Sequence, residues 1–329
     1  MTANVTKTVS TFPSAGRYRA DGDAARISVK TWTPDGVGGG HPPTAILQLN
    51  HGMQEYIDRY DAFARTVAAH GWLVVGMDFI GHGDSVDDAS QLGYTGVALS
   101  GGRNPLVEDM HALRRRTQAQ WPGVPYVMFG HSMGSFVLRA YLAAYADDTL
   151  SGAVISGTGA MAPGMVTLAK TLLGVLGVVQ NPEHRSMLFA ALSIGPYNKP
   201  FADHGKARTQ FEWLSRDPQR VDQYVADQRC GGVFSLAADR LLMDVIARCN
   251  APSAFQSTPK DLPLLLVSGE ADPVGEMGAG VTKVADAYRA AGVRDVTLNL
   301  FPQARHELLN ETNRDEVTAD ILAWLAAHL

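Results

Sequence analysis

Cysteine is nearly absent from this chain of 329 residues, which contains only Cys230 and Cys249. Two thiols in no CxxC arrangement can form neither a disulfide framework nor a metal site with cysteine ligands. The sequence therefore predicts a protein of a reducing compartment that holds no metal.

A long uninterrupted apolar run is also missing. The most apolar stretch, residues 161–179, is broken by Pro163, Lys170 and three glycines, so it makes a poor membrane span. The first fourteen residues have no basic start followed by an apolar core, and no signal peptide is visible. These observations predict a cytoplasmic protein.

Neither sign of charge dominates the composition. The 33 acidic and 28 basic residues leave a formal net charge of −5. The one basic run is Arg114-Arg115-Arg116, and consecutive residues of a helix point in different directions. We therefore expect a solvated helix face there and no nucleic-acid partner.

Short apolar runs alternate with helical segments along most of the chain. Residues 1–25 are polar and weakly patterned, and an outer strand is predicted at residues 26–32. The other predicted strands are residues 44–49, 72–77, 126–129, 153–155, 262–267 and 296–301, and an amphipathic helix is predicted at 314–329. Alternation of this kind predicts an α/β fold with a mostly parallel, doubly wound sheet.

The alternation stops after Gly159 and returns near residue 262. The residues from about 160 to 240 have a mostly helical and irregular pattern. The simplest architecture is one sheet domain, made of residues 1–159 and 241–329, with a helical cap of residues 160–240 inserted into it.

Ser132 is the centre of the sequence Gly-His-Ser-Met-Gly, residues 130–134. This pentapeptide stands between the predicted strand at 126–129 and a segment with helical spacing, which is the setting of a nucleophile elbow. Its two glycines lack the Cβ atoms that would collide where the strand and helix backbones pass closely. We therefore predict that Ser132 is a nucleophile; the alternative is a tight turn that happens to contain serine.

A serine nucleophile needs a base, and catalytic groups of open α/β sheets gather at the C-terminal ends of the strands. His306 follows the last predicted strand, where the chain order serine, acid, histidine places the base. His131 adjoins the nucleophile, so its side chain should point away from the position of a base. His51 and His82 are expected to brace loops.

The acid that orients the histidine should follow the preceding strand, where the sequence offers Glu270 and Asp272. We predict Asp272, because its shorter side chain suits this loop position and Pro273 shapes the turn. Asp286 and Asp295 lie on helical or turn segments and are expected to be solvated.

An oxyanion hole needs two backbone N–H groups. One should come from Met133, the residue after the nucleophile. We assign the other to Met53, in the loop after the strand at 44–49, where Gly52 lets the backbone approach a substrate.

Four motifs in the same chain order carry a family resemblance. They are His51-Gly52-Met53-x-Glu55-x-x-x-Arg59-Tyr60, Asp78-x-x-Gly81-His82-Gly83-x-Ser85, Gly130-His131-Ser132-Met133-Gly134 and His306-Glu307-Leu308-Leu309-Asn310-Glu311. With these motifs the chain resembles the monoacylglycerol lipase and lysophospholipase branch of the α/β-hydrolases from about residue 25 to its end. The bacterial members also include proteins described as aminopeptidases, of the serine aminopeptidase S33 type, and general esterases.

The resemblance implies a carboxylic ester hydrolase with a cap over an acyl-chain pocket and no cofactor. Its triad corresponds to Ser132, Asp272 and His306, and its oxyanion amides to Met53 and Met133, as in the assignment from the residues themselves.

The chain departs from the family pattern at three positions. Gln54 stands where a small residue is usual, Tyr56 where histidine is frequent, and Val86 where glycine is common. These departures leave the shape of the substrate open but do not affect the predicted reaction. The resemblance does not determine the leaving group either.

The apolar helix predicted within residues 161–179 admits two interpretations. Leu172, Leu173 and Leu176 could line an acyl pocket, and the helix could also make transient contact with a membrane surface. The alternative is a helix that packs internally on the sheet domain. We predict pocket lining by the three leucines.

The sequence thus predicts a serine hydrolase that cleaves a monoacylglycerol, a lysophospholipid or a smaller acyl ester through an acyl-enzyme. A peptidase or acyltransferase with the same triad is the alternative within this class. A ligand-binding protein without turnover is the alternative outside it, although such a protein would commonly lack one member of the triad.

Overall fold

The computed structural model describes residues 4–18, 23–96, 102–146, 149–202 and 206–329. Its strands are β1 (Val5–Arg17), β2 (Ala24–Pro34), β3 (Ile46–Asn50), β4 (Leu73–Met77), β5 (Tyr126–His131), β6 (Gly152–Ser156), β7 (Leu264–Gly269) and β8 (Val296–Phe301). Its α-helices are α1 (Asp61–Ala68), α2 (Pro105–Gln120), α3 (Met133–Ala144), α4 (Pro163–Gln180), α5 (Met187–Ser193), α6 (Pro218–Ala226), α7 (Leu236–Cys249), α8 (Pro252–Ser257), α9 (Ala279–Ala290) and α10 (Arg314–Ala327).

The strands form one sheet of eight in the order β1-β2-β4-β3-β5-β6-β7-β8. The six strands from β4 to β8 in this order pair in parallel, whereas β2 is antiparallel to both β1 and β4. The predicted α/β fold with a mostly parallel sheet is therefore confirmed. Because parallel strands end at the same edge, the loops after β3, β5, β7 and β8 meet there.

Helices cover both faces of the sheet. On one face, α1 and α10 bury residues such as Phe63, Val67 and Ile321 with the strands beneath them. On the other face, α2, α3, α7 and α9 pack over a larger apolar cluster. Burial on two sides explains why β3, β4, β5, β6 and β7 are buried along their whole length and appear in the sequence as short continuous apolar runs.

The sequence analysis predicts no strand in residues 1–25, whereas the structure places β1 there, the longest strand among the described residues. It pairs with β2 from Val5 opposite Pro34 to Arg17 opposite Ala24. Its second half, from Phe12, alternates between buried and exposed side chains, whereas the first half is mostly exposed at the sheet edge. An edge strand of this kind has little hydrophobic signal, although its many threonines and valines favour extended backbone.

The basic run is only partly solvated. Arg115 and Arg116 are exposed, but Arg114 is buried, stacks over the Tyr126 ring at 4.3 Å and donates to the Thr149 carbonyl. The same helix, α2, carries His111, which therefore lies in no loop at the strand ends.

Helices α4 to α8 occupy the chain between β6 and β7. Of these, α4, α5, α6 and the start of α7 lie within residues 160–240, the range predicted to form a cap; residues 203–205 lie outside the described residues. The proposed boundary at residue 240 falls inside α7, which packs both against α4 and against α3 of the sheet domain. The buried Arg139 of α3 holds this junction by donating to the carbonyls of Gly159 and Cys249.

Helix α4 is unusually exposed for its composition. Of its eighteen residues only Val166 and Leu173 are buried. Among the described residues it is the one helix that is long and apolar enough to cross a membrane, judged by length and composition alone. It packs against α7 and leaves most of its other residues at least partly exposed.

Candidate active site

Ser132 occupies the sharp turn between β5 and α3 with φ 50° and ψ −119°. A left-handed φ is strained for a residue other than glycine, and strain of this kind concentrates at functional sites. The Ser132 amide donates to the Ser156 carbonyl at 2.9 Å, which ties the turn to the neighbouring strand β6. A Cβ on Gly130 or Gly134 would collide with backbone atoms, as the sequence argument expects.

Asp272 and His306 meet at the same edge of the sheet. Nδ1 of His306 lies 2.9 Å from Oδ2 of Asp272, and both side chains are buried. An ionised carboxylate only accepts hydrogen bonds, so Nδ1 carries the proton and Nε2 is left as the acceptor. Glu270, the other candidate acid, is exposed.

The remaining ring nitrogen of the histidine is available for chemistry. His306 Nε2 is buried and has no hydrogen-bond partner among the described residues. Burial alone would lower the pKa of His306, but the charge of Asp272 and its hydrogen bond outweigh that cost, and the pKa is raised above its ordinary value of 6.5. The imidazole is thus well suited to accept a proton near neutral pH.

A pH dependence of activity follows from this shift. A general base must be neutral, so kcat/KM should be low below the pKa of His306 and rise with pH through an apparent pKa above 6.5. The measurement is a pH profile with a short p-nitrophenyl ester. His306→Ala should remove nearly all activity together with this rising limb, and retained activity with an unchanged profile would exclude His306 as the base.

Two other histidines brace the site, as predicted. His51 Nε2 accepts from the Phe79 amide at 3.0 Å, and its Nδ1 donates to the Gly52 carbonyl at 2.7 Å. His82 Nδ1 lies 3.1 Å from the Ile80 carbonyl, and burial lowers the pKa of His82 to about 3. The His82 ring is therefore neutral at ordinary pH, and both rings are held in place by hydrogen bonds with backbone groups.

His131 lies closer to the base than the sequence argument expects. Its ring centroid is 4.7 Å from that of His306. Burial, followed by the neighbouring His306, lowers the pKa of His131 to about 3. The ring consequently packs against the predicted base as a neutral group.

The two amides assigned to the oxyanion hole lie on elements that converge on Ser132. Met133 is the first residue of α3, where backbone N–H groups have no partner within the helix. The loop with Met53 passes close to the nucleophile, since a Cβ on Gly52 would stand only 3.0 Å from Cβ of Ser132. The oxyanion role of both amides stays a prediction.

The loop after β3 is also held by the segment that contains Tyr224 and Gly231. Gln54 has φ 60°, and its carbonyl accepts from the Tyr224 hydroxyl at 3.0 Å and from the Gly231 amide at 3.1 Å. The position at which the family usually has a small residue is therefore a strained backbone site fixed by two cap residues.

Sequence reasoning missed two features around the histidine. The Trp213 ring stands 5.0 Å from the His306 ring, and the Trp213 carbonyl accepts from the His306 amide at 3.3 Å. An ion cluster of Glu55, Arg59 and Glu307 lies behind the same loop. All three charged residues belong to the quoted motifs, but spacing alone does not show which charges will meet.

The three cap leucines differ in their surroundings. Leu173 is buried, while Leu172 and Leu176 are half-buried, and all three pack in the apolar cluster that includes Met133 and touches Met53. Leu173 also lines a groove of about 300 Å³ between α4 and α7. Contact with a substrate stays a prediction for each of them.

Among the described residues, no group of three His, Cys, Asp or Glu side chains could hold a metal ion. The chemistry available to the site is that of a strained serine, a buried aspartate–histidine pair and backbone amides. On this fold, such a site defines a serine hydrolase of the α/β-hydrolase class.

Comparison with known proteins gives the family. The family described as "Serine aminopeptidase, S33" matches residues 41–313, and the chain belongs to it. The monoacylglycerol lipase of Mycolicibacterium smegmatis is 29% identical over 92% of this chain and 94% of its own length. The mouse monoglyceride lipase is 26% identical over 93% of this chain and 87% of its own.

Solved structures agree with this placement. A thermostable carboxyl esterase from Bacillus coagulans, crystallised with glycerol, superimposes with a TM-score of 0.86 and 25% identity over 98% of both chains. The sequence-based recognition of the family and of an ester hydrolase is therefore confirmed.

Proposed function

We propose that this chain hydrolyses the ester bond of monoacylglycerols or related acyl esters, including lysophospholipids, through an acyl-enzyme on Ser132. The observation that carries the catalytic part is the buried contact of Asp272 with His306 at the sheet edge where Ser132 is strained. The names of the lipase relatives, which match over nearly their whole length, support the substrate class.

The proposed mechanism has two halves, the acylation of Ser132 and the hydrolysis of the acyl-serine. Ser132 Oγ attacks the carbonyl carbon of the ester, and its proton passes to Nε2 of His306. The amides of Met53 and Met133 stabilise the negative oxygen, while Asp272 stabilises the imidazolium. The bond to the alcohol oxygen breaks as His306 returns the proton to it, and water then cleaves the acyl-serine by the same steps.

The direct experiment measures the turnover of p-nitrophenyl esters and monoacylglycerols over a series of acyl lengths. We expect hydrolysis of both, with higher kcat/KM for medium and long chains than for acetyl, because each buried methylene contributes about 0.8 kcal/mol. A folded protein that hydrolyses no ester in the series would contradict the proposal.

A peptidase is the second candidate, because the family is named for a serine aminopeptidase. Matched p-nitrophenyl esters and p-nitroanilides of one acyl group separate the two activities, and transfer of the acyl group to an added alcohol reports an acyltransferase. We expect ester hydrolysis to dominate. Faster cleavage of the anilides would favour the peptidase.

We also propose that the insertion around residues 160–240 acts as a cap in a cytoplasmic protein and touches membranes transiently. The support is an apolar surface on α4 and α5 whose members are largely exposed. They are Met165, Leu168, Val175, Val178, Val179, Met187, Leu188 and Leu192. An exposed apolar face of this extent is typical of lipid or partner contact.

Two substitutions on α4 separate pocket lining from membrane contact. Leu176→Asn should lower kcat/KM for dissolved long-chain esters by one or two tenfold steps and leave butyryl esters nearly unchanged, since several methylene contacts are lost. Val178→Asn, at a position 89% exposed, should leave all dissolved esters unchanged and weaken turnover only for substrate held in vesicles.

Two outcomes in these variants would contradict the predictions for α4. Equal losses for all chain lengths in Leu176→Asn, with a lowered Tm, would mean that the leucine is structural. Unchanged vesicle activity in Val178→Asn would argue against membrane contact through α4.

A further inference from the structure

Three buried charges connect the two loops on which catalysis depends. The Arg59 guanidinium binds Glu307 with two hydrogen bonds, Nη1 to Oε1 at 2.5 Å and Nη2 to Oε2 at 2.7 Å. Nη1 also donates to Oε2 of Glu55 at 2.7 Å. All three side chains are mostly buried, and the guanidinium stacks over the Tyr224 ring at 4.9 Å. We call this group the Glu55–Arg59–Glu307 clamp.

One end of the clamp fixes the oxyanion loop. Oε1 of Glu55 accepts from the Gly52 amide at 2.6 Å and from the Tyr60 hydroxyl at 2.7 Å. The Gly52 amide is one peptide before that of Met53, so Glu55 restrains the direction in which the Met53 N–H can point.

The other end fixes the loop of the histidine. Glu307 directly follows His306, and its backbone amide donates to the Leu214 carbonyl at 2.7 Å. Oε2 of Glu307 also accepts from Nδ2 of Asn310 at 3.1 Å. A movement of the Glu307 side chain therefore moves the peptide that carries the base.

The charges make this connection persistent over the working pH range. Burial opposes ionisation of Glu55, yet the charge of Arg59 outweighs that cost and lowers the pKa of Glu55 to about 2. Burial likewise disfavours the charged form of Arg59, but Glu307 and Glu55 raise its pKa. The Glu55 carboxylate and the Arg59 guanidinium therefore stay ionised together, and the bidentate contact of Arg59 with Glu307 has the fixed geometry of such pairs.

We propose that the Glu55–Arg59–Glu307 clamp is a positioning element. It keeps the Met53 amide and His306 in the relative positions that stabilise the transition state. The proposal rests on the proposed function, because it assigns the clamp to the oxyanion amide and base named there. None of the three side chains needs to touch substrate. They act through the peptide groups of Gly52 and Glu307.

A distinctive kinetic signature follows. The oxyanion amide and the base stabilise the transition state more than the bound ester, so loosening them should lower kcat and leave KM nearly unchanged. A misplacement of about 1 Å can cost roughly 100-fold in rate. A smaller folded fraction would also lower the apparent kcat at an unchanged KM, so kcat is expressed per active site titrated with a fluorophosphonate.

The test uses Glu307→Gln, which keeps the shape of the side chain and removes its charge. With p-nitrophenyl butyrate we expect kcat to fall about 10- to 100-fold, while KM changes by less than about threefold. The inhibition constant of n-butylboronic acid, whose serine adduct resembles the tetrahedral intermediate, should rise by the same factor as kcat falls.

Arg59→Lys is the second variant, because lysine keeps the charge but cannot bind two carboxylates in the planar geometry of a guanidinium. Arg114→Lys is the matched control, since Arg114 is also buried and stacked on a tyrosine but adjoins the start of β5, at the opposite sheet edge from Ser132. Arg59→Lys should repeat the kinetic signature. Arg114→Lys should lower Tm without changing kcat or the boronate constant.

Two results would overturn the clamp proposal. One is a kcat within about threefold of the unsubstituted protein in both clamp variants; the other is an equal loss in Arg114→Lys at the same drop in Tm. The rate at which Ser132 reacts with a fluorophosphonate can be measured in the same variants, and this measurement needs no ester substrate. A protein that reacts with the probe but hydrolyses no ester would therefore refute the proposed substrate class while still testing the clamp.

Discussion

Replacing Ser132 with alanine is expected to lower kcat for ester hydrolysis by about 10⁶-fold, the size of effect seen when a triad nucleophile is removed. The reason is that Ser132 carries the hydroxyl on the strained turn between β5 and α3. Residual turnover should come only from water attack in the oxyanion site. The measurement is kcat with p-nitrophenyl butyrate, at protein concentrations high enough to detect the remaining rate.

The neighbouring Ser135 supplies the control for this substitution. It is buried one turn along α3, and its hydroxyl donates to the Ser132 carbonyl at 2.6 Å. That carbonyl also accepts from the Ser135 and Phe136 amides, so Ser135→Ala leaves it satisfied. We expect this variant to keep most of its activity. A Ser132→Ala variant as active as Ser135→Ala would refute the assignment of the nucleophile.

Replacing Asp272 with asparagine is expected to lower kcat by about 10⁴-fold with the fold retained. The amide cannot hold the imidazole in the tautomer that leaves Nε2 free, nor stabilise the imidazolium. Because Asp272 is the main group that raises the pKa of His306, the rising limb of the pH profile should also move to lower pH. Steady-state kinetics between pH 5 and 9 measure both effects.

Glu270→Gln is the matched control for the acid. Glu270 is exposed two residues earlier in the same loop, so its substitution should change kcat by less than about threefold. A severe loss of kcat in Glu270→Gln together with a mild loss in Asp272→Asn would mean that Glu270 is the acid of the triad and Asp272 is not.

The sheet was predictable because its central strands are buried on both sides. The runs at 44–49, 72–77 and 126–129 coincide with β3, β4 and β5 to within two residues at each end. The glycine and aspartate residues that follow these runs then indicated the loops at the C-terminal edge of the sheet. Strand β1 was missed because one side of an edge strand needs no apolar residues.

The triad candidates were predictable for a different reason. The chain order serine, acid, histidine and the rule that catalytic groups follow strands reduce ten histidines to one. The choice of Asp272 over Glu270 agrees with their burial, 0% for Asp272 against exposure for Glu270. Neither rule describes side-chain packing, which explains why the contact of His131 with His306 was not anticipated.

The ion cluster behind the site was beyond prediction from one sequence. Glu55 and Arg59 are four residues apart, but Glu307 lies 248 residues from Arg59. A pairing across that separation depends on the sheet order, which brings the ends of β3 and β8 to one edge. The cap contacts with Gln54 have the same origin, since Tyr224 and Gly231 reach it from a distant segment.

The most direct test of the account is covalent labelling with a fluorophosphonate probe, followed by peptide mapping by mass spectrometry. The account predicts one phosphonyl group per chain, located on Ser132, and no labelling of Ser132→Ala. It also predicts slower labelling of His306→Ala, because the base that activates the serine is missing. A phosphonyl group on another residue, or labelling that persists in Ser132→Ala, would contradict the account.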